Sequence, residues 1–259
     1  MAGQPESDVQ QLFLNLFKSE KYRERLAALE VTGGSSVTVD FEDLLSFDRA
    51  LAEAVMERPD ETLKGAGDAA FEQLRIEAPQ HAERLEGLSV RVRGLPASTP
   101  LRALDSSLLG KLVQVEGIVV RATPLRSMVV KAAFQCRVCG EISFVEQSGS
   151  FMRQPYRCRN PSCQRAGPFD FLEDKSVFVD YQELRVQERP EELPPGQLPR
   201  MVNVKAVGKD LMDRAKPGDH AVIVGVVRAA ARSIPKGGAR ARAARSLRRF
   251  QYRLKRRKP

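Results

Sequence analysis

Apolar residues recur at helical spacing near the start of the chain. Over residues 8–30 they lie three or four positions apart, which places them on one face of a helix. The residues of this stripe are Val9, Leu12, Phe13, Leu16 and Phe17. The first thirty residues therefore predict an amphipathic helix with one buried face.

The stretch that follows continues the helical character after one short strand. Residues 37–41 alternate between apolar and polar types, as in a half-buried strand. Asp40 is placed to cap a helix that runs to about Glu57, just before an Arg-Pro pair. A third helix is predicted over residues 60–77, ahead of an Ala-Pro pair. This part of the chain is thus predicted to be a helical bundle.

From Leu88 onward, short strands replace the helical pattern. Alternation is clear in one run, which Gly117 interrupts and whose apolar residues are Val113, Val115, Ile118 and Val120. Similar runs return in the second half of the chain, with Gly and Pro between them. Several short strands around a lengthy insertion predict a five-stranded β-barrel of the oligonucleotide/oligosaccharide-binding (OB) type. The predicted fold class is α+β.

These patterns divide the chain into four segments and mark two special stretches within the last one. The segments are a helical subdomain at 1–92, the first part of the OB-fold at 93–132, a cysteine-bearing insertion at 133–173 and the second part of the OB-fold at 174–259. The last segment contains a Pro-rich loop at 187–200 and a long basic β-hairpin at 226–254.

The charge of the chain is concentrated at one end. Overall, 42 Lys and Arg residues stand against 33 Asp and Glu residues, a net charge of +9. Residues 228–259 hold thirteen of the basic residues and no acidic one, so the remainder of the chain carries a net charge of −4. Such asymmetry favours a polyanionic partner, for which nucleic acid is the usual candidate, over a solubilising tail.

The four cysteines of the chain form two close pairs. Cys136 and Cys139 are separated by two residues, and Cys158 and Cys163 by four. Two pairs on two turns can present four thiolates in a tetrahedron around Zn²⁺. The alternatives are an iron–sulfur cluster or two disulfides, but the spacing is that of a zinc ribbon rather than of a ferredoxin. Because four protein ligands leave no open position, the predicted site is structural.

Aromatic residues surround the cysteines. They are Phe134, Phe144, Phe151 and Tyr156, and we expect them to form the small core of the ribbon.

Catalytic motifs are absent from the sequence. The two histidines, His81 and His220, are expected at the surface or at a strand edge, and no P-loop or dinucleotide-binding motif is present. We therefore expect no enzymatic activity from this chain. The sequence also shows neither a membrane-spanning apolar run nor a signal peptide, so we expect a soluble, intracellular protein without a membrane partner.

Two basic features suit a nucleic-acid backbone. The predicted hairpin would project a cationic tip whose residues include Arg232, Lys236, Arg240 and Arg242. Within the predicted barrel, Arg121 and Arg126 flank a turn, and the arginine fork suits phosphate contacts. OB-folds commonly bind single strands in a basic groove.

Three motifs resemble the N-terminal region of the minichromosome maintenance (MCM) replicative helicases of archaea. QERPEELPPGQLPR at 187–200 resembles the allosteric control loop of that family, Q-E-x-P-E-x-x-P-x-G-x-x-P-R. VEGIVVRATPLR at 115–126 and AKPGDHAVIVGVV at 215–227 resemble two of its barrel strands. The resemblance covers about residues 8–255, although the Ala/Arg-rich hairpin departs from the family pattern.

The resemblance implies a homohexameric ring, possible pairing of two rings through a structural Zn²⁺ ribbon, and single- or double-stranded DNA in a basic channel. It assigns DNA contacts to Arg121, Arg126, Arg232, Lys236, Arg240 and Arg242. It implies that the control loop communicates with an AAA+ ATPase motor, which this chain lacks. The loop residues that match are Gln187, Glu188, Pro190, Glu191, Pro194, Gly196, Pro199 and Arg200.

We therefore predict a DNA-binding, hexamer-organising collar from the nucleoid of an archaeon, with ATP hydrolysis left to the missing motor. The main alternative is a stand-alone OB-fold and zinc-ribbon protein that coats single strands. That alternative needs stacking aromatics, yet aromatic residues make up only 6% of the chain and Trp is absent.

Overall fold

A computed structural model describes residues 6–147, 152–193 and 196–229. The chain divides into two compact units. The first comprises Met1–Thr123, Glu183–Ala206 and Asp210–Pro259, and the second comprises Pro124–Gln182 and Val207–Lys209. The second unit is thus inserted into the sequence of the first.

The N-terminal part of the first unit is helical, as predicted. Its described residues form six α-helices: α1 (Glu6–Phe17), α2 (Glu20–Thr32), α3 (Phe41–Phe47), α4 (Arg49–Glu57), α5 (Pro59–Glu77) and the short α6 (Pro79–Ala82). No helix in the described part of the chain is long and apolar enough to cross a membrane.

Two of the predicted helices are each divided in two. The first breaks after Phe17, where the Ser19 hydroxyl donates to the carbonyl of Leu16 at 2.7 Å. The second breaks at Asp48, whose carboxylate accepts a hydrogen bond from the Leu51 N–H at 2.9 Å and so caps α4. Serine and aspartate side chains can form such local hydrogen bonds with the backbone, which compete with continuation of the helix.

The predicted capping role of Asp40 is wrong. Asp40 immediately precedes α3, but its side chain makes no capping hydrogen bond. Its carboxylate instead binds Arg93, Arg25 (2.8 Å) and Lys21 (3.2 Å), and the hydrogen bond from Arg93 contributes most to lowering its pKa. The carboxylate thereby ties α2 to the neighbouring strands.

Two short parallel strands pack with the helices. β1 (Ser36–Asp40) pairs with β2 (Ser89–Arg93) in register from Ser36 opposite Ser89 to Asp40 opposite Arg93. The first of these strands was predicted from its alternation, and its buried residues are Val37 and Val39.

The remainder of the first unit is built on an antiparallel sheet. β3 (Leu112–Ala122) pairs with β8 (His220–Val226) on one side and with the end of β6 (Phe169–Gln187) on the other. β7 (Met201–Val207) also pairs with β6. Helices and an antiparallel sheet together confirm the α+β class.

The alternation is not interrupted at Gly117, contrary to the prediction. Gly117 and Val119 are buried, whereas Ile118 is half-buried and Val120 is exposed. β3 runs continuously through it, paired opposite Ala221 of β8. A Cβ at this position would lie 2.5 Å from the carbonyl oxygen of Gln187 and 2.6 Å from a methyl group of Val186. Glycine is therefore needed because β6 approaches the backbone of β3 closely here.

The second unit contains the strands that carry the cysteines. β4 (Arg126–Cys136) pairs antiparallel with β5 (Ile142–Glu146) and with the first part of β6. β6 thus begins in the second unit and ends in the first. The predicted segment limits at 92, 132 and 173 stay predictions.

Two apolar clusters form the core of the first unit. One gathers the buried faces of the helices with residues of β1, β2, β3 and β8, among them Phe13, Phe17, Tyr22 and Leu74. The other lies among the sheet strands and includes Val115, Val186 and Ile223. The stripe predicted from the first helix lies in the first cluster, with Phe13, Leu16 and Phe17 buried and Val9 and Leu12 packed against it.

The two histidines differ in environment. His220 is exposed at the start of β8, as expected. His81 is buried, contrary to expectation, and its Nε2 atom lies 2.8 Å from the carbonyl oxygen of Gly34. A buried imidazole needs such a partner, and this contact joins α6 to the turn after α2.

Candidate metal centre and nucleic-acid interface

The four cysteines converge in the second unit. Their Sγ atoms all lie within 4.8 Å of one another. The Sγ atoms of Cys136 and Cys163 are 3.9 Å apart, and those of Cys139 and Cys158 are 3.4 Å apart. No disulfide joins them. The arrangement could hold one metal ion.

Two tight turns position the thiols. The first turn follows β4, where the Gly140 N–H donates to the Cys136 carbonyl at 2.8 Å and Gly140 has a positive φ of 76°. The second turn follows Asn160, whose carbonyl accepts the Cys163 N–H at 3.0 Å and whose Oδ1 accepts the Ser162 N–H at 2.9 Å. Gly140 and Asn160-Pro161 were predicted as these turns.

The electrostatics of the cluster favour a cation. The backbone N–H groups of Cys139 and Val138 donate towards the Cys136 sulfur and lower the pKa of that thiol to about 7. The Asn160 N–H lowers the pKa of Cys158, but burial and the neighbouring thiols outweigh it and raise that pKa to about 12. One thiolate therefore suppresses ionisation of the next unless a cation balances their charge.

The spacing of the sulfurs fits a tetrahedral ion. Four thiolates at about 2.3 Å from a central Zn²⁺ stand about 3.8 Å from one another. The two close sulfur pairs bracket that value. Within the described residues, no histidine or carboxylate joins the four thiols in this group. The donor set thus fits a closed, structural centre without a position for catalysis.

The expected aromatic core of the ribbon is only partly present. Phe134 is fully buried and its ring centroid lies 5.8 Å from that of Phe171. Phe144 is partly exposed and Tyr156 is 82% exposed, so the expectation is wrong for both, and Phe151 lies outside the described residues. The sulfur cluster itself replaces an apolar core in a segment this small.

A pair of arginines lies on the exposed side of the sheet in the first unit. Arg121 of β3 is directly opposite Arg185 of β6, next to a bulge between Val119 and Arg121. Both side chains are exposed. The Arg185 guanidinium donates to the Asn203 side chain at 3.3 Å, whereas Arg121 makes no ion pair with any residue that the structure describes. Like charges at opposite cross-strand positions destabilise a sheet, which an anion between them would relieve.

Arg121 was predicted from the sequence as a DNA contact, and that stays a prediction; Arg185 was not predicted. The missing signal was the alternation of β6, in which Leu184 and Val186 are buried and Arg185 between them is exposed. Arg126, the other predicted barrel arginine, is exposed at the start of β4 in the second unit. The predicted hairpin contacts Arg232, Lys236, Arg240 and Arg242 lie outside the described residues.

The Pro-rich loop is closed at its base by a group that we name the clasp, formed by Arg102, Glu188 and Arg200. The guanidinium of Arg102 donates two hydrogen bonds to the Glu188 carboxylate, each of 3.0 Å. The backbone N–H of Arg200 donates to the same carboxylate at 2.9 Å, and the Glu188 N–H donates to the Arg200 carbonyl at 3.0 Å. Arg102 also contacts the Gln197 side chain.

The clasp buries an ionised carboxylate. The Glu188 side chain is only 5% exposed, and burial by itself raises its pKa. The hydrogen bonds from Arg102 and the Arg200 N–H outweigh burial, so the pKa of Glu188 is lowered. A buried charge of this kind requires its partners, since removing one leaves it unpaired.

Of the remaining matched loop residues, Gln187 immediately precedes Glu188 and the others lie between Glu188 and Arg200. Gln187 ends β6, Pro190 and Glu191 form a 3₁₀ turn, Gly196 has a positive φ of 77°, and Pro199 is half-buried. Pro194 lies outside the described residues. Arg102 was not foreseen, because it lies 86 residues before Glu188 in the chain.

Comparison with known proteins identifies the family. The MCM OB domain matches residues 100–231, and the MCM N-terminal domain matches residues 10–94. The chain belongs to the MCM family. The predicted family resemblance and the OB-fold are thereby confirmed.

Individual MCM proteins from archaea and eukaryotes are similar to this chain. The minichromosome maintenance protein MCM of Saccharolobus solfataricus is 32% identical over 238 residues, which are 88% of this chain and 34% of that protein. DNA replication licensing factor mcm5-A of Xenopus laevis is 30% identical over 84% of this chain and 31% of its own length. DNA replication licensing factor mcm-6 of Caenorhabditis briggsae is 30% identical over 83% of this chain and 27% of its length. This MCM chain spans about a third of the curated relatives that it matches.

Proposed function

We propose that this chain is the DNA-binding, ring-organising collar of an MCM replicative helicase, whose ATPase motor lies outside the sequence described. The observation that carries the proposal is the exposed pair Arg121 and Arg185 on the OB sheet. The two lie opposite each other, and no acidic side chain among the described residues pairs with Arg121. Single-stranded DNA supplies phosphates at a spacing that two neighbouring arginines can grip, and OB-folds bind such strands in basic grooves.

DNA binding to this pair is tested by fluorescence anisotropy with a labelled oligothymidine. Replacing Arg121 and Arg185 by Ala should weaken binding about tenfold or more near physiological salt. It should also lower the slope of log K against log salt by about 1.4, because each lost phosphate contact on a single strand removes about 0.7.

The matched control is the double variant Lys18→Ala/Arg84→Ala, which removes the same charge from exposed positions of the helical subdomain. Equal weakening by the control would mean that only net charge matters, and an unchanged slope in the Arg121/Arg185 variant would reject the site.

The metal in the cysteine cluster is proposed to be Zn²⁺. Four thiols whose sulfur atoms lie within 4.8 Å of one another, without a further ligand in the described cluster, are the donor set of structural zinc ribbons. When bound, the ion supplies folding energy to the second unit, because its two turns are otherwise joined by few buried apolar side chains.

The proposal also includes assembly of the chain into a ring and communication between the collar and the motor. A homohexamer, with two rings meeting through their ribbons, would place the DNA contacts around a channel, and residues 187–200 would pass changes between collar and motor. The clasp supports a lever role, because it fixes both ends of the loop to one point. The cell compartment implied is the archaeal nucleoid.

Light scattering of the purified chain, alone and with single-stranded DNA, tests the assembly. A mass of six or twelve protomers supports the collar. A monomer that still binds DNA supports the alternative of a stand-alone single-strand-binding module.

A further inference from the structure

Asn203 lies on β7 beside the arginine pair of the OB sheet, and the proposed function gives it no role. β7 alternates, with Val202 and Val204 buried in the second apolar cluster and Asn203 between them exposed. Because β7 pairs with β6, the Asn203 amide lies on the same exposed surface as Arg185. Its Oδ1 atom accepts a hydrogen bond from the Nε atom of Arg185 at 3.3 Å.

This hydrogen bond uses one particular donor of the Arg185 guanidinium. Arginine has five N–H donors, one on Nε and two on each Nη. Among the residues that the structure describes, Arg185 makes no side-chain hydrogen bond other than the one from Nε to Asn203. A guanidinium can bind two phosphate oxygens either through Nε and one Nη or through both Nη atoms. Since Nε is occupied, the contact leaves the second way of binding open.

The amide holds Arg185 without cancelling its charge. Arg121 lies directly opposite Arg185, and two like charges repel each other. Glu183, two residues earlier on β6, makes no ion pair with Arg185 in the described part of the chain. A carboxylate in the place of the Asn203 amide would neutralise Arg185, whereas the neutral amide leaves its full positive charge available to an anion.

The contact also restricts the Arg185 side chain before any ligand binds. An exposed arginine samples many rotamers, and fixing one of them on binding costs free energy. A hydrogen bond to the neighbouring strand already favours one of these rotamers. Asn203 therefore lowers the entropy that Arg185 loses when it binds a ligand.

From these contacts we infer that Asn203 is a positioning residue for DNA binding. It holds Arg185 through Nε, so that both Nη groups remain for the two free oxygens of a DNA phosphate. The inference rests on the proposed function, because it takes Arg185 as a DNA contact. Asn203 acts through Arg185 and makes no contact with the DNA itself.

Two substitutions of Asn203 test this role in anisotropy titrations of the chain with labelled oligothymidine over a range of salt. Asn203→Ala should raise Kd about two- to fivefold without changing the salt slope, because every cation remains. Asn203→Asp should raise Kd about tenfold and lower the slope by about 0.7, because the new carboxylate neutralises Arg185. The matched controls are Asn15→Ala and Asn15→Asp at an exposed position of α1, which should leave Kd and slope unchanged.

A double-mutant cycle separates positioning from direct contact. In a chain that already carries Arg185→Ala, Asn203→Ala should weaken binding no further. A further loss as large as in the unaltered chain would show that Asn203 binds DNA directly or supports the sheet, and would overturn the positioning role. An unchanged Kd for Asn203→Ala, or an unchanged slope for Asn203→Asp, would overturn it as well. The midpoint of urea unfolding should be the same for both variants, since Asn203 is exposed, and a lowered midpoint would assign it to stability instead.

Failure of this inference can be told apart from failure of the proposed function. If the unaltered chain binds no oligothymidine, or if replacing Arg121 and Arg185 changes nothing, both are refuted. If that double replacement weakens binding while the Asn203 variants bind as the unaltered chain does, only the positioning role is refuted.

Discussion

Replacing Arg102 by Ala should destabilise the chain through the carboxylate that it leaves behind. Glu188 is 5% exposed and would keep only the Arg200 N–H as a partner. Breaking a buried ion pair typically costs about 3–5 kcal/mol. The Arg102 side chain is 27% exposed, so its removal opens a path for water to hydrate part of the Glu188 carboxylate. We therefore expect a smaller loss of about 2–3 kcal/mol. In a chain of this size the melting temperature should fall by about 5–10 °C.

The lowered pKa of Glu188 determines how the loss of stability in Arg102→Ala should change with pH. The folded-state pKa of Glu188 is lowered, so its contribution to stability is present above the unfolded pKa of about 4.3 and is lost as pH falls through the folded pKa. The difference between Arg102→Ala and the unaltered chain should therefore be largest near neutral pH. It should shrink as the pH falls through the lowered folded-state pKa of Glu188, below which the carboxyl is protonated in both proteins.

Urea unfolding at several pH values, followed by circular dichroism, measures the effect. The matched control is Arg189→Ala, which removes another arginine at the base of the same loop. The Arg189 guanidinium lies 3.7 Å from the Glu116 carboxylate, and both side chains are about one-third exposed. That substitution should cost at most about 1 kcal/mol. A loss below about 0.5 kcal/mol for Arg102→Ala, or one that does not change with pH, would refute the reasoning.

Two further substitutions test separate parts of the structure. Cys139→Ser should abolish stoichiometric zinc binding, measured by elemental analysis, because a four-thiolate site would lose one ligand and the exposed Cys139 packs in no core; one zinc per chain in this variant would contradict the four-thiolate centre. Gly117→Ala should cost about 1–3 kcal/mol in urea unfolding, since its Cβ would meet the Gln187 carbonyl at 2.5 Å and the backbone cannot give way cheaply. Unchanged stability there would show that β6 can shift without loss.

Features set by local chemistry could be predicted from the sequence. The cysteine centre depends on two short spacings and two turns, and Gly140 and Asn160 are found in those turns. Such features need no knowledge of which distant segments meet.

Features that depend on contacts between distant segments of the chain could not be predicted from the sequence. Asp40 was expected to cap a helix, but Arg93, 53 residues later, takes its carboxylate. His81 was expected at the surface, but it is buried against a carbonyl 47 residues earlier. Single-sequence patterns show that a residue is polar, and do not show which partner the fold will bring to it.

The geometry of β6 links the proposed DNA contact to the loop. Arg185 is two residues before Gln187 and three before Glu188, so an anion at Arg185 would lie about 10 Å along the strand from the clasp. No glycine or proline intervenes, and Val186 between them is fully buried. Gly117 of β3 leaves room for the Gln187 carbonyl, since a Cβ there would lie 2.5 Å from its oxygen, so the two strands are closely packed where the loop begins. We therefore expect a displacement of Arg185 to move the base of the loop as well, with the clasp connecting that base to Arg200 at the other end.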